Sequence, residues 1–453
     1  MSAADQSLRP LLAALDAAGR LARVTRPVDS ERDLAAVALK LHRERGKAAC
    51  FDAIAAAPGW RAAGQLLLER AHWALGLGIA EAQLLATLRE RMRGATAPVE
   101  AARGDARAIE LDTVPIPRAG ERDSAGQMVA VAIAVDPRDG REVLGLTRHH
   151  LIGTGDLSVI GMSPALESVR RHHREARTPM MLALANGVHP AILLAAALGS
   201  WRHADLALAG SLAGAPIRIA RRDGIPVPVD AELVITGKLA ASETEAALEF
   251  SSPFGCYAES GAFPVMATQS VDHREHPLFH VMQVGGPGDM AGTLCLAAEL
   301  LVAEHIRNIE GGIDFLDIRC PPVAGGQVVV VKLRGRVEGQ TKTALMGALS
   351  GPANWFKLAI AVDEDVDAAD LRDVFWSVAS RTHAEKDVAV IDGMRAHPLD
   401  PAASRHAGGP IGARWFIDSS MPPLTQGKRR EDFARAIPKN LALTDLARFL
   451  PKR

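Results

Sequence analysis

Tyrosine is almost missing from this chain: 453 residues contain one, Tyr257, and aromatic side chains make up 4% of the whole. Rows of stacking platforms for single-stranded nucleic acid are thereby excluded, and alanine, leucine and valine must fill the core. Cysteine is sparse too. Cys50, Cys256, Cys295 and Cys320 are widely spaced and form no C-x-x-C pair, which excludes a zinc ribbon or a disulfide scaffold and points to a reducing compartment. Charge of one sign is absent: 52 Lys and Arg face 53 Asp and Glu, a net charge of −1. Neither a nucleic-acid footprint nor attraction to an anionic membrane follows from that balance, and Lys428-Arg429-Arg430 reads as solvated surface. The longest apolar run, 191–199, is too short to span a bilayer. With no signal-peptide pattern at the N-terminus, a cytoplasmic protein is expected. No G-x-G-x-x-G or Walker A sequence and no internal repeat occurs. Gly76-Leu77-Gly78 and Gly153-Thr154-Gly155 lack a strand–helix frame and read as turns.

What is present is an ordinary globular balance, 48% apolar and 23% charged, in a length that calls for two or three domains. The first hundred residues read as α/β. Leu8, Leu11, Leu12 and Leu15 recur at helical spacing, with Gly19 placed as a C-cap. Asp29-Ser30-Glu31-Arg32-Asp33 reads as a helix start with Ser30 as N-cap. A strand at 48–51 and a helix near 79–93 follow, and the Ala/Pro/Gly-rich stretch 94–104 is a boundary.

From Ala108 the period becomes two. The runs 128–135 and 143–147 flank Asp136-Pro137-Arg138-Asp139-Gly140, a turn in which proline presets φ and glycine accepts positive φ. Further strands are expected at 179–184, 217–220, 231–235, 263–268 and 278–284, with a helix at 190–198. The last third alternates again, with strands at 327–333, 357–362 and 388–391 and helices at 341–349 and 368–380, the pattern of an α/β layer.

Several segments, in order, resemble the UbiD family of decarboxylases. They are the opening 7–28, Leu111-Asp112-Thr113-Val114-Pro115-Ile116-Pro117, and the hairpin from Val135 to Arg148. Further matching pieces are 205–212, Ile225-Pro226-Val227-Pro228, 231–237, Pro253-Phe254-Gly255 and 362–367. The resemblance implies an α/β (α+β) fold in three parts. An N-terminal α/β domain would span 1–107, a central split β-barrel that holds a flavin 108–305, and a C-terminal α/β oligomerisation domain 306–453. It also implies prenylated FMN with a divalent metal (Mn or Mg) and potassium at its phosphate, and reversible decarboxylation of aromatic or α,β-unsaturated acids. The modified flavin acts there as an electron sink, while the protein positions groups and delivers protons.

Carried over residue by residue, the family's catalytic Arg is Arg148, but its metal-binding Asn falls on Val143, which ligates nothing. The stretch where the family keeps a His reads Ile160-Gly161-Met162-Ser163-Pro164-Ala165-Leu166, and a thioether suits neither Mg²⁺ nor Mn²⁺. The family's Glu ligand appears as Asp205. The loop pattern E-G-P-[FY]-G-[DE] becomes Ser251-Ser252-Pro253-Phe254-Gly255-Cys256, so Glu249, Cys256 and Glu259 stand as substitute catalytic groups. The Lys of the C-terminal pattern becomes Arg414, a cation for the flavin phosphate. Arg148 suits a substrate carboxylate, which it can hold bidentately; at most one of His149 and His150 shares its side of the strand. His172, His173, His273, His276 and His280 have no ligand spacing and are expected on the surface.

Two classes of function follow. One is a working carboxy-lyase with a rearranged site, with or without prenylated FMN. The other is a catalytically silent subunit beside a paralogous active chain. In either case the substrate class is a small carboxylic acid, and a homodimer or larger assembly through the C-terminal region is expected.

Overall fold

The computed structural model describes residues 5–104, 106–241, 245–258, 262–309, 313–353, 355–445 and 448–449. The helix expected from the leucine repeat runs Arg9–Ala17 and buries Leu11, Leu12 and Leu15. Gly19 follows it at φ +67°, a conformation that glycine adopts without strain. The Ser30 start is displaced. Asp29 Oδ1 accepts from the amides of Glu31 and Arg32 in a turn, and the helix proper begins later, as Leu34–Arg45. Strands Leu21–Val24, Ala48–Phe51 and Arg61–Gly64 form a small sheet. Its fourth strand is Leu278–Val281, which returns from beyond the middle region to pair in parallel with Arg61–Gly64.

The middle of the chain closes into a barrel. Its strands follow the order Leu233–Leu239, Met180–Asn186, Gln127–Val135, Glu142–Ile152, Asp156–Ser158 and Ala262–Arg274, and the last pairs back to the first. All these pairings are antiparallel. Gln127–Val135 and Glu142–Ile152 form the hairpin foreseen from the Pro/Gly turn, in register from Val135↔Glu142 to Gln127↔His150. A bulge at Thr236/Gly237 bends one strand as the sheet curls. Because the barrel is packed inside and covered outside, nearly every residue of the hairpin's two strands is buried, and the first of them reads as an almost continuous apolar run.

Three helices interrupt this region, where periodicity suggested one. Pro190–Leu198 was expected; it is buried at every position. Pro164–Glu175, capped by Ser163, and Leu206–Ala213, capped by Asp205, were not expected. The helix Asp289–Arg307 then carries the chain into the C-terminal layer. Arg70 ties the layers together, reaching Glu299 at 2.8 Å and Asp317 at 2.6 Å.

The C-terminal sheet has the order Phe315–Arg319, Val328–Leu333, Leu358–Val362, Ile411–Ser419, Val388–Arg395. Its three central strands are parallel. Alternation sets its two faces: Val329, Val331, Ala359 and Ala361 share a core with Ala344 and Leu345 of helix Gln340–Ser350. Val330, Ile360 and Val362 pack with Val374 of helix Leu371–Arg381. No helix among the described residues is long and apolar enough to cross a membrane.

Candidate functional site

Arg148 sits in the hairpin strand with 4% of its surface exposed. Its guanidinium carbon lies 4.7 Å from the centre of the Phe250 ring, and Nη1 donates to the Ser251 carbonyl at 3.5 Å. Among the described residues no carboxylate stands within ion-pair distance of it. Burial pulls its pKa down to about 10, partly opposed by the field of Asp123, so the group remains a cation near neutrality. A buried cation of this kind is costly unless an anion meets it.

Asp123, from the loop before the hairpin, is wholly buried. Its Oδ1 accepts from the Ser251 amide at 2.6 Å and the Ser251 hydroxyl at 2.7 Å, and its Oδ2 from the Gly120 amide at 2.7 Å. Ser251 occupies the position of the family's first loop carboxylate, and a carboxylate from another segment therefore stands against it. Gly285, at φ +94°, closes the same spot: a Cβ there would lie 2.6 Å from that of Ser251. Asp123 lies in a polar loop with no motif around it, and sequence reasoning did not single it out.

The two histidines after Arg148 are both inaccessible. His149 Nε2 lies 2.8 Å from Thr147 Oγ1 and Nδ1 2.9 Å from the Ser158 carbonyl. His150 Nε2 lies 2.8 Å from Gln127 Nε2, and its amide donates to Ser158 Oγ at 2.8 Å. Burial first, then the neighbouring Arg148, holds His150 at about 3; burial holds His149 at about 4. Both are neutral at working pH.

Below the loop, scarce aromatic rings converge. Phe254 packs 4.8 Å from His397, His397 5.1 Å from Trp355, and Trp355 4.7 Å from Trp201. Burial, and next Arg148, pushes His397 down to about 4, so this imidazole of the C-terminal layer feels the barrel arginine. Trp201 Nε1 is buried and has no acceptor among the described residues. Gly325, at φ +61°, lets the backbone of Pro253-Phe254 approach: a Cβ there would meet Phe254 Cα at 2.8 Å.

The other nominated residues stand apart from this group. Val143 is 2% exposed and belongs to the apolar cluster with Val159 and Leu166, against which Met162 packs. Asp205 is an N-cap, its Oδ1 accepting from the Leu208 amide at 2.7 Å, with His203 Nε2 3.5 Å from Oδ2. Glu142 neighbours it, its pKa raised by burial and further by the Asp205 charge. Among the described residues no group of three or more His, Cys, Asp or Glu is placed to hold a metal. Arg414 is turned toward the main-chain carbonyls of Leu349 and Arg395, the latter at 2.9 Å. Glu249 pairs with Arg122 at the surface. Cys256 is an exposed thiol on the turn closed by the Ser252 amide and the Cys256 carbonyl at 2.7 Å. Glu259 lies outside the described residues.

His280, expected at the surface, is buried instead, with Nε2 2.8 Å from Asp289; its strand is the edge strand of the N-terminal sheet, and all four of its residues are buried. A cleft of about 830 Å³ on the C-terminal layer, lined in part by Lys342, His383, Lys386 and Asp418, contains none of the nominated residues.

Comparison with known proteins bears on the family and the fold. Profiles of the 3-octaprenyl-4-hydroxybenzoate carboxy-lyase match in three successive stretches. These are the N-terminal domain over residues 12–92, the Rift-related domain over 90–287 and the C-terminal domain over 293–419. A phenolic acid decarboxylase of Streptomyces sp. (strain D7) is 26% identical over 447 residues, covering 92% of this chain and 93% of that protein. The UbiD-class enzyme HmfF of Pelotomaculum thermopropionicum, solved with FMN, superposes with a TM-score of 0.87 at 24% identity, over 98% of this chain and all of that one. The apo 3,4-dihydroxybenzoic acid decarboxylase of Enterobacter cloacae does so with a TM-score of 0.85 at 22% identity, over 98% of both chains. At such identities the solved structures speak for a common fold. With all three family domains matched in order along a barrel-centred chain, this protein belongs to the UbiD family of carboxy-lyases.

Proposed function

We propose that this chain is a carboxy-lyase acting on an aromatic carboxylic acid, with Arg148 as the anchor of the substrate carboxylate. The carrying observation is the buried Arg148 guanidinium with no ion-pair partner among the described residues. A guanidinium fork matches a carboxylate bidentately, and an arriving anion relieves the cost of the buried cation. The substrate ring would lie toward Phe254, Trp355 and His397, an aromatic cluster in a chain that is otherwise poor in such rings. The unpaired Trp201 N–H offers a donor to a ring hydroxyl, in keeping with the phenolic acid decarboxylase among the relatives.

The relatives' flavin is the cofactor that accompanies this reading, since HmfF is solved with FMN and, in an evolved form, with prenylated FMN. The residues here do not fit a metal-bridged phosphate clamp. Val143 is packed in the core, Met162 offers a thioether, and Asp205 is engaged as a helix cap. We therefore infer flavin binding without a divalent ion or potassium, or turnover of a phenolic ring that stabilises charge itself. The chain's own residues hold the carboxylate, flank the ring and exclude water.

The test is a panel of hydroxybenzoates and cinnamates, incubated with ¹³C-bicarbonate and protein made alongside a flavin-prenylating enzyme. Label exchange or loss of carboxylate that disappears in Arg148→Gln supports the reading. A panel without turnover, joined to co-purification with an active paralogue, would favour the silent-subunit alternative, which the altered ligand positions support. A homodimer through the C-terminal layer, where Phe375 is 60% exposed, is checked by light scattering.

A further inference from the structure

We propose that Asp123 is a positioning residue that acts as an electrostatic counterweight to Arg148, weakening its grip on the substrate carboxylate so that CO₂ can leave. The proposal rests on the aromatic carboxy-lyase reading above.

Three observations carry it. Asp123 is wholly buried, and its carboxylate is fixed from two sides by the Ser251 amide and hydroxyl and by the Gly120 amide. Ser251 in turn presents its carbonyl to Arg148, so the acid and the cation meet the same residue, one at its amide and hydroxyl and the other at its carbonyl. Gly285 and Gly120 let Ser251 and Asp123 pack this closely: a Cβ on Gly285 would lie 2.6 Å from that of Ser251, and one on Gly120 would lie 3.0 Å from the Asp123 carboxylate. The negative charge beside position 251 thus comes from another segment of chain, Asp123.

The consequence follows from charge. Decarboxylation breaks the bond between the ring carbon and the carboxylate carbon. The electron pair stays on the ring carbon, which takes up a proton, and CO₂ departs neutral. An arginine that holds the carboxylate too firmly stabilises the starting state, and that stabilisation is lost as the charge leaves the carboxylate. A fixed anion bound to the same residue lowers the local potential and limits that over-binding.

The experiment is a calorimetric titration of the full chain with benzoate, comparing wild type with Asp123→Asn, Asp123→Glu and the Asp123→Asn/Arg148→Met pair. Asparagine keeps an acceptor for both Ser251 donors while removing the charge. We expect Asp123→Asn to bind benzoate about tenfold more tightly. Asp123→Glu should match wild type, and the double variant should not bind. With any hydroxybenzoate that is turned over, KM and kcat should fall together in Asp123→Asn, leaving kcat/KM within about threefold. Should that variant not fold, as judged by near-ultraviolet circular dichroism, Asp123→Ser provides a second neutral side chain with the same expected binding. Benzoate binding to wild type with unchanged or weaker affinity in the folded neutral variant overturns the counterweight alone. Absence of benzoate binding to wild type overturns the carboxylate-anchor reading and the counterweight with it.

Discussion

The guanidinium of Arg148 lies over the ring of Phe250, 4.7 Å from its centre, in a buried position on a barrel strand where it has no carboxylate partner among the described residues. A desolvated cation–π contact offsets about 2 kcal/mol of the cost of burying the charge, less than the several kcal/mol that an unpaired ion forfeits. Arg148→Met should therefore leave the thermal midpoint unchanged or raise it, while abolishing benzoate binding. A stabilised, non-binding variant is the signature of an arginine kept for a ligand. A midpoint several degrees lower would instead assign Arg148 a structural role.

Acid should unfold this protein through its barrel histidines. His149 and His150 are held near 4 and 3, against an ordinary value of 6.5, chiefly by burial. Between pH 6.5 and about 4 the unfolded chain takes up protons at these positions and the folded chain does not. Stability is therefore intact above pH 6.5 and falls as the pH drops through that window. At pH 5 each site should contribute about 2 kcal/mol of that loss. Urea midpoints measured from pH 7.5 to 4.5 check this, and His150→Gln should give a shallower slope than wild type.

Val143→Asn places the family's ligand type back at its position, but inside the cluster of Val159, Leu166 and Met162. An amide buried there without partners should cost about 2 kcal/mol. It should gain no metal, because Met162 and the capping Asp205 offer no completed site. Denaturant unfolding and the electron paramagnetic resonance of added Mn²⁺ measure the two parts; retention of Mn²⁺ by this variant would contradict the second.

Gly285→Ala should loosen the loop that carries Ser251. The position has φ +94° and a Cβ there would lie 2.6 Å from that of Ser251. Strain alone should cost at least about 1 kcal/mol, with weaker benzoate binding as the loop shifts. Unchanged stability and affinity would show that the glycine is not required for this close approach.

Much of this architecture is legible in the chain. The turn at Asp136–Gly140 announces the hairpin, and Arg148 stands where the family keeps its arginine. Helix Leu206–Ala213 escaped notice because its short run of small and apolar residues has no readable period, and Pro164–Glu175 because Arg and His fill most of its second half. Strand Leu278–Val281 was visible, but its pairing with the N-terminal sheet is a long-range choice that no local pattern encodes. The site was harder. Glu249 and Cys256 were nominated by proximity in sequence, yet the turn at Gly255 leaves the thiol exposed, and Glu249 faces Arg122. Asp123, well over a hundred residues before Ser251, reaches it through the fold alone.

We propose a carboxy-lyase site that keeps its carboxylate anchor without the metal-bridged clamp for a flavin phosphate. Its most direct test is a fluorescence and calorimetric titration of the apoprotein with FMN and with prenylated FMN, each with and without Mn²⁺ and K⁺. Flavin affinity that is the same with and without the ions, or no binding under either condition, is the predicted result. Affinity that rises tenfold or more only when Mn²⁺ is present, equivalent to about 1.4 kcal/mol, would contradict the account.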